Sequence, residues 1–418
     1  MDRLGFVLSS RGIRNSIARA FQVATRFGVT AARMEKQLGA YADVVSRYGA
    51  CPSLPITAAV LDRNPRVARG LVDRGVELCV HGLVHNDLSE LSPQMQRDQI
   101  EQAIAIFKKH DIPFQGFRSP YLRYDGGTLS AVSALEFEYD SNMPFYWEPG
   151  SLLEGLVASE SDGLRRGLRF YNPVKFPDER SLPRHIDRLV EIPVSLPDDE
   201  ILLDRMGLPP EKIGDTWEEM ARLALDRGEL LTIQLHPERI ELLRESLSRV
   251  LDFAETDGGF WITTMAKIAS WWKERTRLEV DVAQTGQGKY RVLTPPGIRS
   301  QLEIAIPATG VRVGITPGSE VASPKKPVIG VHPKTGDDLR HKIRDMGYLI
   351  ETSENNALYA CHFAGRDGPD EIDKRIPDLD HPLLVDTFWP RPFKAALTVT
   401  GDIDCLTLGD FIRRFREG

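Results

Sequence analysis

The chain is organised around two short segments, Val80-His81-Gly82-Leu83-Val84-His85 and, further along, Phe117-Arg118-Ser119-Pro120-Tyr121. Two histidines four residues apart can point the same way when the segment between them is helical or tightly turned. Two neutral imidazoles and one carboxylate make a three-ligand metal site with a position left for water. His-x3-His alone is a weak signal, so the interpretation depends on whether the rest of the chain supplies the carboxylate.

Short apolar segments alternate with periodic ones on either side of this motif. Apolar runs predict strands at 55–61, 76–80, 114–117 and 230–235, and the periodic segments between them predict helices. Strands separated by helices indicate a parallel α/β architecture. His81, Arg118 and His236 would then follow the carboxyl ends of strands, where the chemistry of barrels and open parallel sheets is found. Residues 14–50 predict two further helices, the first carrying Ile17, Ala20, Phe21 and Ala24 on one face.

The pattern changes after Arg277. Residues 278–315 alternate between apolar and polar side chains with Gly and Pro between the runs, which predicts a small antiparallel β module. A linker rich in Pro, Ser and Lys follows, and then a short strand-helix-strand unit. The predicted division is a main barrel part at 1–275, a β module and linker at 276–325, an α/β connecting unit at 326–390 and a closing strand and helix at 391–418.

The end of the chain supplies two carboxylates. A predicted strand at 394–400 runs into Gly401-Asp402-Ile403-Asp404. Alternate residues of an extended chain project to the same face, so Asp402 and Asp404 can point into one site. Gly401 allows the backbone to turn or to approach a ligand closely. The alternative is a simple capping turn before a helix at 406–415.

Composition limits the class of protein. The chain has 418 residues, 41% of them hydrophobic, and this predicts two or three folded domains. The net charge of -7 argues against a nucleic-acid partner. The sequence lacks an apolar run long enough to span a membrane and has no secretory signal pattern at its start. Four cysteines without paired spacing fit reduced thiols, and a cytoplasmic location is expected.

Taken together, these motifs resemble those of the polysaccharide deacetylases of the NodB-homology group, carbohydrate esterase family four. His81-Gly82-Leu83-Val84-His85 resembles the family's metal-binding His-Ser/Thr-x-x-His motif, with Gly82 in place of the hydroxyl residue. Arg118-Ser119-Pro120-Tyr121 resembles its Arg-x-Pro-Tyr motif, and Leu235-His236 resembles its last motif.

The family's first motif, Thr-Phe-Asp-Asp, is missing from residues 1–50. Thr400-Gly401-Asp402-Ile403-Asp404 resembles it at the far end of the chain, with one residue between the acids. The resemblance therefore implies an α/β fold built as a distorted (β/α) barrel that is circularly permuted, with the small β module and the short α/β unit inserted.

The resemblance also implies a reaction, the removal of an N-acetyl or O-acetyl group from a carbohydrate by a metal-bound water. The metal would be Zn²⁺ or another divalent ion such as Co²⁺ or Ni²⁺. The substrate would be an N-acetylated sugar or glycoconjugate, and the oligomeric state is left open. The implied roles are metal ligands at His81, His85 and Asp404; base, base partner and acid at Asp402, Arg118 and His236; and substrate contacts at Tyr121, Leu235 and Trp147. Which aspartate is base and which is ligand stays open at this point.

Three alternatives remain open from the sequence. The same barrel could hydrolyse a small cyclic amide or imide, which calls for a closed pocket, whereas a sugar calls for an open groove with exposed aromatic side chains such as Trp147 or Tyr121. A non-catalytic carbohydrate-binding homologue results if Asp402 and Asp404 begin a second, truncated barrel. Asp402 could also reach the site of a neighbouring chain in a domain-swapped oligomer.

Overall fold

The computed structural model describes residues 27–417, and the first predicted helix with Ile17 and Phe21 lies outside them. Its helices are α1 (Ala32–Ser46), α2 (Ala58–Arg63), α3 (Pro65–Asp73), α4 (Pro93–Lys109), α5 (Gly126–Ala134), α6 (Gly150–Leu153), α7 (Ala158–Tyr171), α8 (Pro210–Arg227), α9 (Ile240–Thr256), α10 (Met265–Thr276), α11 (Asp337–Asp345), α12 (Asp370–Arg375) and α13 (Leu408–Glu417). None of these helices combines the length and the apolar composition that crossing a membrane requires.

The strands alternate with these helices up to α10 and then cluster in the connecting segment. They are β1 (Ser53–Ile56), β2 (Glu77–Val80), β3 (Gly116–Phe117), β4 (Tyr139–Asp140), β5 (Pro144–Tyr146), β6 (Val174–Lys175), β7 (Arg184–Ile186), β8 (Leu189–Glu191), β9 (Val194–Leu196), β10 (Leu230–Gln234), β11 (Phe260–Ile262), β12 (Asp281–Gly286), β13 (Lys289–Leu293), β14 (Leu302–Ile306), β15 (Val311–Ile315), β16 (Glu320–Ala322), β17 (Ile329–Val331), β18 (Ile350–Thr352), β19 (His362–Phe363), β20 (Leu383–Asp386) and β21 (Ala395–Thr400).

A nine-stranded sheet carries the main part of the molecule. Its order is β10-β21-β1-β2-β3-β4-β8-β7, with β11 pairing the start of β21. The pairings are parallel apart from β7 with β8. The sheet is a curled half-barrel in a mixed α/β fold, so the predicted fold class is confirmed at this level.

The last strand of the chain lies inside this sheet. β21 pairs with β10 from Leu230–Ala396 to Gln234–Thr400, and on its other side Thr400 pairs with Ser53 of β1. All six residues of β21 are buried, as expected for a parallel strand covered on both faces. A strand from the far end of the sequence therefore sits next to the first described one.

The predicted strand at 55–61 is wrong beyond Ile56, because residues Ala58–Arg63 form α2. The backbone N–H groups of Ala58 and Ala59 donate to the carbonyls of Gly82 and Leu83, which takes the chain out of the sheet. The side chains of Ala58, Val60 and Leu61 are nevertheless buried. An apolar run of this length cannot distinguish a buried strand from a buried helix.

A second, parallel sheet of order β6-β5-β9 lies beside the main one. Ser195 of β9 accepts a hydrogen bond of 3.0 Å from the backbone N–H of Thr232 in β10. This contact brings the end of β9, and the aspartates that follow it, next to the end of β10.

The connecting segment contains three small sheets, two antiparallel and one parallel. Strand β14 pairs with β15 and also with β20, so hydrogen bonds cross the expected boundary at residue 325. The fully buried pair of Arg275 and Asp386, 2.8 Å apart, joins this segment to α10. The division of the chain into four segments stays a prediction.

Candidate active site

The two histidines of the opening motif lie just beyond β2 and face each other, with ring centroids 5.2 Å apart. Gly82 has φ +73°, a backbone conformation that side chains disfavour, and it turns the chain immediately after His81. The fully buried His81 donates from Nδ1 to the carbonyl of Arg118 at 2.8 Å. Because Nδ1 holds the proton, Nε2 of His81 carries a lone pair directed into the site.

Asp404 completes a group of three. Its Oδ1 lies 3.5 Å from His81 Nε2 and 3.3 Å from His85 Nε2, and the three candidate ligand atoms lie within 4.8 Å of one another. Both His81 Nε2 and Asp404 Oδ1 are buried and make no hydrogen bond. Buried polar atoms without partners are rare, and lone pairs facing a common point are the donor set that a divalent ion takes. The group could therefore hold a metal ion.

Asp404 is held in its ionised form. Burial alone would raise the pKa of this carboxyl, but the neighbouring His85 and Arg414 outweigh it and hold the pKa well below its usual range. An ionised carboxylate is the form that binds metal.

Asp402 lies beside this group and has different partners. Its Oδ1 accepts from Arg118 Nη1 at 3.2 Å and its Oδ2 accepts from Gln234 Nε2 at 3.2 Å, with His81 Nε2 at 3.6 Å. Arg118 is fully buried, and its other donors reach Thr400 Oγ1 and both oxygens of Ser141. The guanidinium therefore fixes the orientation of Asp402, since a buried charge has to be paired.

Gly401 makes this arrangement possible. A Cβ at this position would lie 2.0 Å from the carbonyl oxygen of Leu235. Only glycine allows β10 and β21 to approach so closely at their ends, and this approach places Asp402 against Gln234. Leu235 itself is fully buried, and its expected contact with an acetyl methyl stays a prediction.

His236 follows β10, as predicted, and belongs to a second charged group. Its Nδ1 lies 2.8 Å from Asp199 Oδ1, and Asp199 Oδ2 accepts from the backbone N–H of His236 and from Arg239 Nη1. Burial lowers the pKa of His236, but the charge and hydrogen bond of Asp199 outweigh it and hold the pKa well above its ordinary value. His236 is thus a histidine built to carry a proton.

The two predicted aromatic contacts behave differently. Tyr121 is 37% exposed, has φ +61° and packs edge-on against His85, with ring centroids 4.3 Å apart. Trp147 is only 1% exposed, and its Nε1 donates to Ser195 Oγ at 2.8 Å. The expected exposure of Trp147 is therefore wrong: its ring is large enough to fill the core below β9, and its one polar atom finds a buried partner there.

Two side chains of the site, Gln234 and Arg414, were not predicted from the sequence, and neither was the pairing of Asp199 with His236. Asp199 carried a signal, because it follows the end of β9 as the other site residues follow their strands. Arg414 of α13 carried none, although it donates to Asp404, His85 and Tyr121. A surface-type residue in an amphipathic helix gives no local indication that it contacts residues from the other end of the chain.

Comparison with known proteins gives partial matches. Residues 38–139 match the family model described as polysaccharide deacetylase. The peptidoglycan deacetylase-like protein FGM2 of Gibberella zeae is 29% identical over 111 residues, which is 24% of this chain and 32% of that protein. This chain thus spans about a third of the length of the curated relative that it matches.

Two solved structures are also similar. A Mycobacterium smegmatis protein described as a polysaccharide deacetylase is 17% identical, with a TM-score of 0.45 over 60% of this chain and 81% of that one. Puue allantoinase is 19% identical, with a TM-score of 0.43 over 57% of this chain and 72% of that one.

The fold and the site define an α/β protein with a candidate metal centre at the carboxyl ends of its parallel strands. Residues 38–139 match the polysaccharide deacetylase family model, and the motifs of the chain resemble those of the NodB-homology group. The family resemblance predicted from the motifs is confirmed.

Proposed function

We propose that this protein is a metal-dependent hydrolase that removes an acetyl group, N-linked or O-linked, from a carbohydrate. The observation that carries the proposal is the convergence of three candidate ligand atoms, His81 Nε2, His85 Nε2 and Asp404 Oδ1, two of them buried without any hydrogen bond. Two imidazoles and one carboxylate with an open position are typical of catalytic rather than structural zinc sites.

The three ligands fit Zn²⁺, and N and O donors also accept Co²⁺ or Ni²⁺. When bound, such an ion supplies Lewis acidity and lowers the pKa of water towards ~7. The remaining chemistry belongs to the side chains of the protein.

The contacts of the two aspartates support one assignment of roles. Asp404 directs an unpaired oxygen at both histidines, which suits a ligand. Asp402 is held by Arg118 and Gln234 and suits a base that accepts the proton of the attacking water. Arg118 pairs with Asp402 at 3.2 Å and fixes the direction of its carboxylate.

His236 is suited to act as the acid that complements the base Asp402. Asp199 raises its pKa, so the imidazolium form is available to donate a proton to the departing amine or alcohol. Arg239 holds Asp199 with a charge-assisted hydrogen bond of 2.8 Å, and this fixes the direction of the imidazole.

The position of β21 supports circular permutation. The strand that carries Asp402 and Asp404 is last in the sequence and lies between β10 and β1 in the sheet. Carboxylates within 3.6 Å of a histidine of the same chain favour one complete site over a truncated second barrel or a domain swap. Tyr121 and Phe170, whose ring centroids are 6.2 Å apart, would offer aromatic surface to a sugar beside this site. The cytoplasmic location expected from the sequence stays a prediction.

The experiment measures metal content and acetate release on the same preparations. We would compare the wild type with His85→Ala, Asp404→Ala and Asp402→Asn, and use His110→Ala as control, because His110 pairs with Asp62 elsewhere on the surface. We expect about one divalent ion per chain in the wild type and in the Asp402 and His110 variants, and its loss from the other two. Acetate release from N-acetylated oligosaccharides should fall in all variants except the control.

Two results would contradict the proposal. If Asp404→Ala keeps its metal at unchanged affinity, Asp404 is not a ligand. If the wild type binds metal but hydrolyses a cyclic amide or imide and no acetylated sugar, the fold and the metal site stand while the substrate class is wrong.

A further inference from the structure

The last described helix brings a cation onto the proposed metal ligands. Arg414 Nη1 donates to Asp404 Oδ2 at 2.7 Å, and Arg414 Nη2 lies 2.8 Å from Nδ1 and 3.3 Å from Nε2 of His85. Its side chain is 22% exposed, so the guanidinium sits at the mouth of the site. One arginine thus engages two of the three proposed ligands.

The contact with His85 uses a lone pair that a metal would need. A guanidinium stays charged and can only donate, so His85 has to accept with a ring nitrogen. A neutral imidazole has a single lone pair, and its other nitrogen carries hydrogen. Once Nε2 binds a metal, Nδ1 becomes a donor and faces the N–H of Arg414. The contact between Arg414 and His85 is therefore incompatible with a metal on His85.

The contact with Asp404 does not exclude a metal in the same way. Arg414 takes Oδ2 and leaves Oδ1 directed at the two histidines. A buried carboxylate needs a positive partner, and Arg414 supplies it when no ion is bound.

We propose that Arg414 plugs the metal site: in the metal-free protein it occupies the lone pair of His85, and metal loading displaces it from that histidine. This inference rests on the proposed metal site. Tyr121 would keep the displaced cation nearby, since its hydroxyl already accepts from Arg414 Nη2 at 3.4 Å and its ring lies 5.7 Å from the guanidinium. The displaced cation would remain at the site mouth, where an anionic group of a substrate could meet it.

The effect of removing Arg414 on metal affinity distinguishes a competitor of the metal from a residue that supports metal binding. If Arg414 served only to orient Asp404 as a ligand, its removal would weaken metal binding by ~10–100-fold. If Arg414 competes with the metal, only the fraction of wild-type chains in which it has left His85 can bind. Removal of Arg414 then makes every chain able to bind, and the metal affinity increases by the reciprocal of that fraction.

The first experiment measures the Kd of the full chain for Zn²⁺ by competition with a chelator, for the wild type, Arg414→Met and Arg413→Met. Arg413 is the matched control, because it is the exposed neighbour on the same helix. We expect Arg414→Met to bind at least ~10-fold more tightly, as for a competent state that is a minor population in the wild type. Arg413→Met should bind like the wild type. Equal or weaker binding by Arg414→Met would overturn the plug and leave the proposed function intact.

A second experiment needs no variant and covers the case in which Arg414→Met folds poorly. Arginine-specific labelling with a dicarbonyl reagent, read out by peptide mass spectrometry, compares Arg414 in the metal-free and zinc-loaded wild type. We expect zinc to speed the labelling of Arg414 and to leave that of Arg413 unchanged, and labelling that zinc slows or leaves unaltered would refute displacement. If neither the wild type nor Arg414→Met binds zinc, the plug and the proposed metal site fall together.

Discussion

Replacement of Gly401 by alanine tests the close approach that positions Asp402. The new Cβ would lie 2.0 Å from the Leu235 carbonyl oxygen and 3.1 Å from Pro237 Cδ, whereas ordinary contacts begin at 3.4 Å. The first of these partners is backbone, which cannot rotate away. The ends of β10 and β21 therefore have to separate by more than about 1 Å, because protein interiors are close-packed.

The expected losses of stability and of rate follow from the contacts between the ends of β10 and β21. Separation lengthens the 2.9 Å hydrogen bond from the Leu235 backbone N–H to the Thr400 carbonyl and the 3.2 Å contact of Asp402 with Gln234. Inserting a methyl group into a packed position costs ~1–3 kcal/mol of folding free energy. A catalytic group misplaced by ~1 Å loses about 100-fold in rate.

The assay combines urea unfolding with acetate release from an N-acetylated oligosaccharide. Gly70→Ala is the matched control, because Gly70 lies in α3 and its added Cβ would meet no heavy atom within 4 Å. Alanine there should stabilise the protein by ~0.5–1 kcal/mol. If Gly401→Ala unfolds at the same urea concentration as the wild type and keeps its rate, the close approach does not position Asp402 and the reasoning is wrong.

Three other predictions concern the neighbouring groups. His236→Gln should lower acetate release by ~10²–10⁴-fold while zinc affinity measured by calorimetry stays unchanged, because His236 is not among the converging ligands; a loss of zinc would contradict its role as acid. Burial, with Asp199 and Glu200 nearby, raises the pKa of Asp198 to about 7, so stability is full at acid pH and falls as the pH rises through that value. Asp198→Asn should remove much of this fall, measured as the free energy of unfolding at pH 5 and pH 8, and an unchanged slope would argue against it. Trp147→Phe should cost ~1–3 kcal/mol of stability with little change in KM, because Trp147 is buried, whereas Tyr121→Ala should raise KM. A raised KM in the Trp147 variant would contradict its place in the core.

Several strands and their carboxyl ends could be predicted from local patterns in the sequence. The apolar runs before His81, Arg118 and His236 are strands in the structure, and each of these residues follows its strand. The spacing of Asp402 and Asp404 indicated that both could face one site. These features are local, because periodicity and breaking residues act over a few positions. Local patterns cannot distinguish a strand from a helix where both would bury the same side chains, as at Ala58–Arg63.

The tertiary structure sets how residues far apart in the chain meet. It directs Asp404, rather than Asp402, at both histidines with an unpaired oxygen, brings Asp199 to His236, and places Arg414 on His85. It also buries Trp147, which was expected as an exposed aromatic side chain of an open sugar groove. These contacts depend on strand order and helix packing. Strand β21 has to lie between β10 and β1 before the aspartates and the helix that follow it can reach the histidines that follow β2.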